Sequence, residues 1–421
     1  MSTEIRKHVA GFVAPGFESV RDVLMRRPQP WGRGGGGVSA YVRGQRVVDL
    51  WGGQRAPGLP WQEDTLAPIA SITKGWAACV VHRLVEQEVL DFTTPICAWW
   101  PEFAAHGKHT ITLREVFLHS SGVLGFDGQH ELLDGGGMGQ GWGDYDAIAA
   151  GLAAARPVWA PGSKHGYHAL TFGWLVQEVV RRTTGRTVGD LFRTDFAEPL
   201  GLDSHLGALD GAVDRVARCL APDLSAVPAW QRWLLGHAAK HVADPNTLAG
   251  TAFLGDGRSS ILERAPDYLA TPAWLEAEVP ASNGVTTAGS LAKLFAALAA
   301  GGSLEGVRVL RPESVALMHQ AQVRITDVVS AGALPAAVRW AAPKATAAYG
   351  CMPNVKPKGR SVLGPNPETF ACGGFGGQLV LADPVAQISL ASTCTDFTPG
   401  LDKVIPELRQ ALYEAAGTSR D

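Results

Sequence analysis

Long apolar runs, an excess of charge and closely spaced cysteines are all missing from this chain of 421 residues. No stretch approaches the roughly 18 to 20 apolar residues that are needed to span a bilayer. The first eight residues, Met-Ser-Thr-Glu-Ile-Arg-Lys-His, lack the apolar segment that a secretion signal requires. These absences predict a cytoplasmic protein without a membrane partner.

The charge and cysteine patterns exclude further classes. The formal net charge is -3 and the basic residues are scattered, so the chain offers no obvious surface for nucleic acid. The six cysteines include no C-x-x-C pair, which predicts reduced thiols and no structural zinc site. The segment that begins at His130 has Asp134 where a zinc-protease helix needs its second histidine. We expect neither a metal nor another cofactor.

The glycine-rich segment 32–37 contains the pattern G-x-G-x-x-G, which also occurs in dinucleotide-binding loops. In those loops a strand precedes the motif, whereas here a strand pattern follows it. We therefore interpret segment 32–37 as a flexible lead-in to that strand.

Strand patterns occur near both ends of the chain. Segments 38–42 and 46–51 flank a glycine-containing turn and predict an antiparallel hairpin. Segments 378–384 and 387–392 predict a second pair of strands, and a closing helix over 403–416 follows. Strands at both ends predict one shared sheet.

The region between these strands is mainly helical in pattern. Apolar periodicity predicts helices over 113–118, 145–155, 170–182 and 291–300. Segments 205–275 and 322–345 lack clear periodicity, as lids and binding loops often do. We predict an α/β sheet domain formed by 1–95 and 275–421, and a mainly helical inserted domain over 96–274 with lid loops. The active site is expected between them.

Ser71-Ile72-Thr73-Lys74 places a hydroxyl and an amine three residues apart, where one helical turn brings them together. A serine hydroxyl needs a base within hydrogen-bond reach, and a partly desolvated lysine can serve as that base. The apolar sequence after Lys74 predicts a buried helix, whose first turn would direct backbone N–H groups at the serine oxygen. Ser71 is therefore a candidate nucleophile.

A second segment, Ser290-Leu291-Ala292-Lys293, has the same spacing. It follows Asn283-Gly284 and Thr286-Thr287, which are turn and capping residues. We interpret Ser290 as part of a helix start.

Two other segments can complete a site around Ser71. Tyr167 lies in a loop before the 170–182 helix, where its phenol can meet the Ser71 hydroxyl, and a lysine ammonium beside it would stabilise a phenolate. Segment 370–377 is rich in glycine, which lets a backbone approach a ligand. The N–H groups of Phe375 and Ser71 are the candidate oxyanion hole.

Ser-x-x-Lys, a tyrosine about 95 residues later and a glycine-rich strand near the C-terminus together resemble the class C β-lactamase and penicillin-binding-protein superfamily. Finer strings resemble its family VIII carboxylesterases: Asp49-Leu50-Trp51-Gly52-Gly53, Trp100-Pro101-Glu102-Phe103 and His119-Ser120-Ser121-Gly122. The resemblance implies an α+β fold (an α/β sandwich) with a mostly antiparallel sheet flanked by helices. It also implies that Ser71 is acylated and that Lys74 and Tyr167 share the proton transfers.

The chain departs from the superfamily pattern at two positions. Ala169 stands two residues after the tyrosine, where lactamases and peptidases have Asn or Ser, and an alanine can neither bind a substrate amide nor help to position Lys74. The strand motif reads Cys372-Gly373-Gly374 instead of Lys-Thr-Gly or His-Gly-Gly, so no charged group awaits a substrate carboxylate. Both departures favour small neutral or bulky apolar esters over penicillins and D-alanyl peptides.

The predicted substrate-binding residues are Ala169, Cys372, Gly373, Gly374, His119, Trp230 and Trp233. Two of these assignments stay open: Cys372 is either a small buried strand residue or a thiol that contacts substrate, and His119, like His168, is either a capping or packing group or part of the site.

Four functions remain open from the sequence. The leading hypothesis is a serine carboxylesterase that acts on a small-molecule ester. The others are a transacylase that uses an amine or alcohol acceptor, a non-catalytic binding protein with this fold, and a β-lactamase proper. Composition indicates nothing about the oligomeric state.

Overall fold

The computed structural model describes residues 9–134, 140–207, 209, 211–225, 227–269, 271–335, 344–355, 363–398 and 404–418. Its strands are β1 (Val9–Val13), β2 (Gly35–Val42), β3 (Gln45–Ala56), β4 (Leu59–Pro60), β5 (Ala67–Pro68), β6 (Ser204–His205), β7 (Val285–Thr286), β8 (Ser303–Leu304), β9 (Val307–Arg308), β10 (Val323–Thr326), β11 (Lys344–Ala347), β12 (Met352–Pro353), β13 (Phe370–Gly374), β14 (Gln378–Asp383) and β15 (Ile388–Cys394).

The helices are α1 (Glu18–Met25), α2 (Thr73–Glu86), α3 (Leu113–Phe117), α4 (Gln129–Asp134), α5 (Tyr145–Ala154), α6 (Thr171–Thr184), α7 (Val188–Phe192), α8 (Glu198–Leu200), α9 (Ala229–Ala243), α10 (Leu248–Ala252), α11 (Ile261–Tyr268), α12 (Pro272–Glu276), α13 (Ala288–Ala299), α14 (Pro312–His319), α15 (Val328–Gly332) and α16 (Val404–Ala415).

Strands from both ends of the chain form one antiparallel sheet, as the sequence predicts. Its order is β1-β3-β2-β15-β14-β13-β12, and β4 pairs with β3. The N-terminal hairpin β2–β3 and the C-terminal strands meet where β15 pairs with β2, with Leu390 opposite Ala40. This pairing places β13, which carries Cys372, in the same sheet as the first hairpin.

Helices cover both faces of this sheet. On one face α1 and α16 pack together, and Leu24 and Leu412 are buried against β-strand residues such as Leu50. On the other face α13 lies across β2, β14 and β15, and the Ser389 hydroxyl donates to the Ala292 carbonyl at 2.8 Å. These two layers of helices confirm the predicted α/β sandwich. They are needed because apolar side chains on both faces of a sheet have to be covered.

The interpretation of segment 32–37 as a flexible lead-in is wrong for its second half. Gly35, Gly36 and Gly37 lie in β2 and are buried. A Cβ on Gly36 would lie 2.2 Å from the Thr393 carbonyl oxygen and 2.3 Å from the Trp31 ring. Glycine is needed here because the neighbouring strand and the Trp31 ring approach the backbone closely.

The predicted helices over 113–118, 145–155 and 170–182 correspond to α3, α5 and α6. The helix predicted from 291 begins earlier, at Ala288, because the Thr287 side chain caps it by accepting from the Ser290 N–H. The closing helix is α16; residue 403, its predicted start, lies outside the described residues.

The two segments without clear periodicity contain regular structure. Segment 205–275 holds α9, α10, α11 and α12, and segment 322–345 holds β10, α15 and the start of β11. Apolar periodicity missed these helices for three reasons: α10, α12 and α15 have only five residues each, α11 contains Pro266, and α9 has a single buried residue, Ala243. The division into a sheet domain and a helical domain stays a prediction.

No described helix is long and apolar enough to cross a membrane.

Candidate active site

Ser71 lies in a short 3-10 turn, Ala70–Ile72, that leads directly into α2. Ala70 has φ 45°, a left-handed conformation that is uncommon for a residue with a side chain. Thr73 fixes the turn, because its hydroxyl donates to the Ala70 carbonyl at 2.6 Å and accepts from the Gly284 N–H at 3.0 Å. A strained turn held in this way is a common setting for a reactive residue.

The helix that follows is buried, as its apolar sequence predicts. Eleven of its fourteen residues are buried, and Trp76 stacks on Phe192 with ring centroids 4.4 Å apart. The Lys74 side chain therefore emerges from the first turn into an environment with little water.

Lys74 Nζ lies 3.4 Å from Ser71 Oγ, 2.8 Å from the Ala169 carbonyl and 2.9 Å from the Ala281 carbonyl. It also interacts with the Tyr167 hydroxyl. Burial lowers the pKa of Lys74, and the nearby Tyr167 only partly opposes this effect. A neutral amine has two N–H bonds and one lone pair. If the two carbonyls take the N–H bonds, the lone pair is left for the Ser71 hydroxyl.

The expectation that residue 169 cannot help to position Lys74 is therefore wrong. The alanine side chain has no polar atom, but the backbone carbonyl of Ala169 makes the contact. Ala281, the second carbonyl partner, was not identified from the sequence, because a backbone acceptor leaves no signal in residue type.

Tyr167 completes the environment of Ser71. Its hydroxyl donates to Ser71 Oγ at 2.8 Å, and Lys74 Nζ lies 4.8 Å from the centre of its ring. The Tyr167 N–H donates to Asp327 Oδ1 at 3.1 Å, which ties the tyrosine loop to the N-terminus of α15. Asp327 was missed from the sequence because it lies in the segment without periodicity.

His119 faces the same site, whereas His168 does not. His119 Nδ1 accepts from the His168 N–H at 3.2 Å, and the imidazole lies 5.0 Å from the Tyr167 ring. Burial and the neighbouring His168 lower the pKa of His119, which favours the neutral ring. Because Nδ1 accepts a hydrogen bond, the proton of the neutral ring lies on Nε2. The ring nitrogens of His168 are bound to Ser121 and Gly166, and burial lowers its pKa to about 4.

Gln378, the first residue of β14 and the partner of Gly374 on the glycine-rich strand β13, binds the segment that precedes the Ser71 turn. Its amide donates to the Pro68 carbonyl at 2.8 Å and to the Phe375 carbonyl at 3.3 Å. A Cβ on Gly374 would lie 2.5 Å from the Ile69 carbonyl oxygen, so only glycine permits this approach. Phe375 is thus held near the turn, although its role in an oxyanion hole remains a prediction. The sequence predicts a strand that begins at Gln378 but gives no sign of its contact with the Ser71 segment.

Ser71, Lys74 and Tyr167 line a cavity of about 430 Å³. Phe117, Phe172 and His119 line one part of it, and the strand residues of β11 to β13 line another. Its full lining is Ser71, Lys74, Phe117, His119, His165, Tyr167, Phe172, Asp327, Lys344, Ala345, Thr346, Ala347, Ala348, Gly350, Cys351, Met352, Pro353, Val355, Leu363, Ala371, Cys372 and Gly373.

This lining corrects two expectations from the sequence. Lys344, at the start of β11, places a cation at the cavity although the strand motif has none. Trp230 and Trp233 do not line the cavity; each is 63% exposed on α9. Their apolar character suggested a pocket wall, but α9 presents them to solvent.

A larger cavity of about 690 Å³ is lined by Ser290 and Lys293 but by none of Ser71, Lys74 and Tyr167. In the described ranges, no group of three or more His, Cys, Asp or Glu side chains is arranged to hold a metal ion.

Comparison with known proteins adds evidence independent of this geometry. The β-lactamase family model matches residues 21–414. An esterase/β-lactamase of Mycobacterium tuberculosis, LipL, is 39% identical over 289 residues, which are 67% of this chain and 62% of that protein. Esterase EstB of Burkholderia gladioli is 33% identical over 39% of this chain and 43% of its own length. The chain thus matches less than two thirds of either relative.

Solved structures are similar over nearly the whole chain. A penicillin-binding-protein homologue from Caulobacter crescentus has 31% identity and a TM-score of 0.79, with 97% of this chain and 100% of that chain covered. A family VIII carboxylesterase has 29% identity and a TM-score of 0.77, with the same coverage. The resemblance drawn from the sequence motifs is confirmed at the level of family and fold.

Proposed function

Because this chain belongs to the β-lactamase family, we propose that it is a serine hydrolase that forms an acyl-enzyme on Ser71, and that its substrates are carboxylic esters. One observation carries the proposal: Ser71 Oγ lies 2.8 Å from the Tyr167 hydroxyl and 3.4 Å from the amine of a buried lysine. A hydroxyl between an amine of lowered pKa and a phenol is arranged for nucleophilic attack.

In the acylation step, neutral Lys74 accepts the Ser71 proton while Oγ attacks the ester carbonyl. The two carbonyl oxygens that hold Lys74 also stabilise the ammonium that forms, because each accepts one of its N–H bonds. The N–H groups of Ser71 and Phe375 are the proposed donors to the oxyanion.

Tyr167 is the proposed acid for the leaving alcohol. Its hydroxyl already reaches Ser71 Oγ, so it lies next to the bond that breaks when the tetrahedral intermediate collapses. A water molecule activated by the same pair then hydrolyses the acyl-enzyme, and Ser71 recovers its proton.

The substrate class follows from the cavity and the relatives. Aromatic and small apolar residues form much of the wall, which suits a neutral acyl or alcohol group. LipL is named an esterase/β-lactamase and EstB is named an esterase. Transfer of the acyl group to an amine or alcohol would use the same acyl-enzyme, so the acceptor has to be determined by experiment.

Lys344 favours a second candidate activity, slow turnover of β-lactams. Its cation lines the cavity, where it can attract the carboxylate of a β-lactam. Ala169 lacks the polar side chain that would bind the lactam amide, so we expect nitrocefin hydrolysis to be much slower than ester hydrolysis. The change Lys344→Ala should reduce nitrocefin turnover and leave the turnover of a neutral ester within about twofold.

The test of the ester hypothesis is the intact mass of the protein during turnover of p-nitrophenyl esters of increasing acyl length. The expected result is an acyl adduct on Ser71 that water releases, and no adduct in Ser71→Ala. Ser290→Ala is the matched control and should be acylated normally. Release that accelerates with an added primary amine, with amide as product, would make the protein a transacylase. Absence of any adduct would leave a non-catalytic binding protein.

A further inference from the structure

Two cysteine thiols meet in the wall of the catalytic cavity. Cys372 lies on β13, and Cys351 immediately precedes β12. Their Sγ atoms are 3.3 Å apart, both residues are buried in the protein, and both line the cavity that contains Ser71. The proposed ester chemistry uses neither thiol.

The pairing of the strands explains why the thiols meet. Met352 pairs with Ala371 and Pro353 pairs with Phe370. The same antiparallel register, continued by one residue, places Cys351 opposite Cys372. Opposite residues of antiparallel strands have Cβ atoms about 4.5 to 5.5 Å apart, and a disulfide needs about 3.5 to 4.5 Å. A small movement of one short strand is enough to bring the sulfurs into bonding distance.

None of the other four cysteines, Cys79, Cys97, Cys219 and Cys394, lines this cavity. Cys79 lies on α2 behind the pair and interacts electrostatically with both Cys351 and Cys372. Cys394 and Cys219 interact with each other electrostatically and are both buried elsewhere in the core, which makes them a natural comparison.

We propose that Cys351 and Cys372 form an oxidisable dithiol site, which small disulfide compounds convert to an intramolecular disulfide from within the cavity. The thiolate of Cys372 attacks one sulfur of the compound RS–SR, forms a mixed disulfide and releases the first RS⁻. The Cys351 sulfur then attacks Cys372 Sγ and releases the second RS⁻. The two protons lost by the cysteines end on two RSH molecules, so two electrons pass from the protein to RS–SR.

The cavity is the route for the oxidant. It contacts both thiols, and its volume of about 430 Å³ admits a small organic disulfide. The hydrogen bond with Cys372 and burial raise the pKa of Cys351, so we expect the attack of Cys351 on the mixed disulfide to be slow at neutral pH and faster as the pH rises.

Oxidation should affect the proposed ester chemistry because Cys372 touches the helix of the catalytic lysine. A Cβ on Gly75, the residue after Lys74, would lie 2.8 Å from Cys372 Sγ. When the two sulfurs approach from 3.3 Å to the roughly 2.05 Å of a disulfide, this packing has to change. We expect kcat/KM for a p-nitrophenyl ester to fall at least about fivefold and to recover with dithiothreitol. This part of the inference rests on the proposed function.

The experiment exposes the full-length protein to 2-hydroxyethyl disulfide at mildly alkaline pH, followed by intact mass and non-reducing peptide mapping. The expected product has lost two hydrogen atoms and contains a Cys351–Cys372 cross-link, in the wild type and in Cys219→Ala alike. Cys351→Ala should instead carry a stable mixed disulfide on Cys372. A map without the cross-link, or with a cross-link only between Cys219 and Cys394, overturns the proposal.

Intact mass and peptide mapping test whether the dithiol site exists, whereas the ester assay tests whether its oxidation affects catalysis. If the cross-link forms and ester turnover does not change, the inferred effect on catalysis is wrong and the site itself stands. If the protein shows no ester turnover at all, the proposed function fails, and the peptide map still decides whether the dithiol site exists.

Discussion

The chain contains Ser-x-x-Lys twice, at Ser71–Lys74 and at Ser290–Lys293, and each serine lies at the start of a helix. In the first copy the serine hydroxyl is 3.4 Å from the lysine amine and 2.8 Å from the Tyr167 hydroxyl. Both groups can exchange a proton with that hydroxyl. The Lys74 amine has no carboxylate partner among the described residues, and burial lowers its pKa.

In the second copy the serine hydroxyl and the lysine amine bind other residues instead of each other. Ser290 Oγ accepts from the Asp203 N–H at 2.9 Å and lies 3.0 Å from the Thr287 hydroxyl, which caps the helix. Lys293 Nζ is paired with Glu305 at 2.8 Å. The same four-residue spacing thus gives an activated hydroxyl in one place and a helix start in the other. The difference lies in burial and in partners that are distant in sequence.

The largest expected effect comes from removing each serine in turn. Ser71→Ala should lower p-nitrophenyl ester turnover by roughly 10³-fold or more, because it removes the proposed nucleophile. Ser290→Ala should leave turnover within about twofold, since it removes only hydrogen bonds at a helix start. Steady-state kinetics of both variants checks the comparison. Equal losses in the two would show that the first copy is not special.

Replacing each lysine is the next test. Lys74→Met should lower the rate of Ser71 acylation by roughly 10² to 10⁴-fold, because the general base is lost. Lys293→Met breaks an ion pair at the surface, so we expect less than about 1 kcal/mol loss of stability and little change in rate. Rapid-mixing measurement of p-nitrophenolate release gives the acylation rate. A Lys74→Met variant that acylates normally would contradict the assignment of the base.

A third comparison replaces Tyr167, in the candidate site, and Tyr413, which is remote from it. Tyr167→Phe should lower turnover by roughly 10²-fold and leave the melting temperature nearly unchanged, because the phenol serves proton transfer. Tyr413 donates to buried Asp383 at 2.6 Å, far along the chain in α16. Tyr413→Phe should cost about 1 to 3 kcal/mol of stability and keep the rate. Thermal unfolding and kinetics on both variants separate the two roles, and the reverse pattern would exclude the proposed acid.

The smallest effect concerns pH. Burial lowers the pKa of Lys74 from its ordinary value of 10.5, so its neutral form exists at lower pH than for an exposed lysine. The neutral form is the base, and the acylation rate should therefore rise with pH through this lowered pKa and level off before 10.5. Single-turnover rates of the wild type across this range provide the measurement. If the acylation rate rises only near pH 10.5, Lys74 is not desolvated during the reaction.

Much of the fold was predictable, because its signals are local. Strand patterns around turn residues predicted the hairpin at 38–51 and the strand pair at 378–392, and strands at both ends of the chain predicted one shared sheet. Segments 205–275 and 322–345 were not predictable in detail. Apart from α9, their helices have eight residues or fewer. These segments are also held by contacts with distant residues, such as the Tyr167 N–H that donates to Asp327.

The candidate site, like the fold, was predictable from the sequence only in part. The family motifs singled out Ser71, Lys74 and Tyr167, and the structure brings these three together. The sequence did not reveal Ala281, Gln378 or Lys344 as neighbours of the site, because a carbonyl, an amide on a strand and an isolated lysine carry no recognisable pattern. For Trp230 and Trp233 the residue type was misleading, since an aromatic side chain does not indicate which way its helix faces.

The sequence by itself determined the family, the shared sheet and the approach of Ser71 to Lys74, since three residues along a helix are neighbours whatever surrounds them. The apolar sequence after Lys74 also favoured Ser71 over Ser290, but only the tertiary structure fixed the position of the Lys74 amine. It did so through carbonyls that lie 95 and 207 residues away from Lys74. The meeting of Cys351 and Cys372 was decided in the same way, by the register of two strands. Such contacts depend on how the whole chain packs, and no local pattern encodes them.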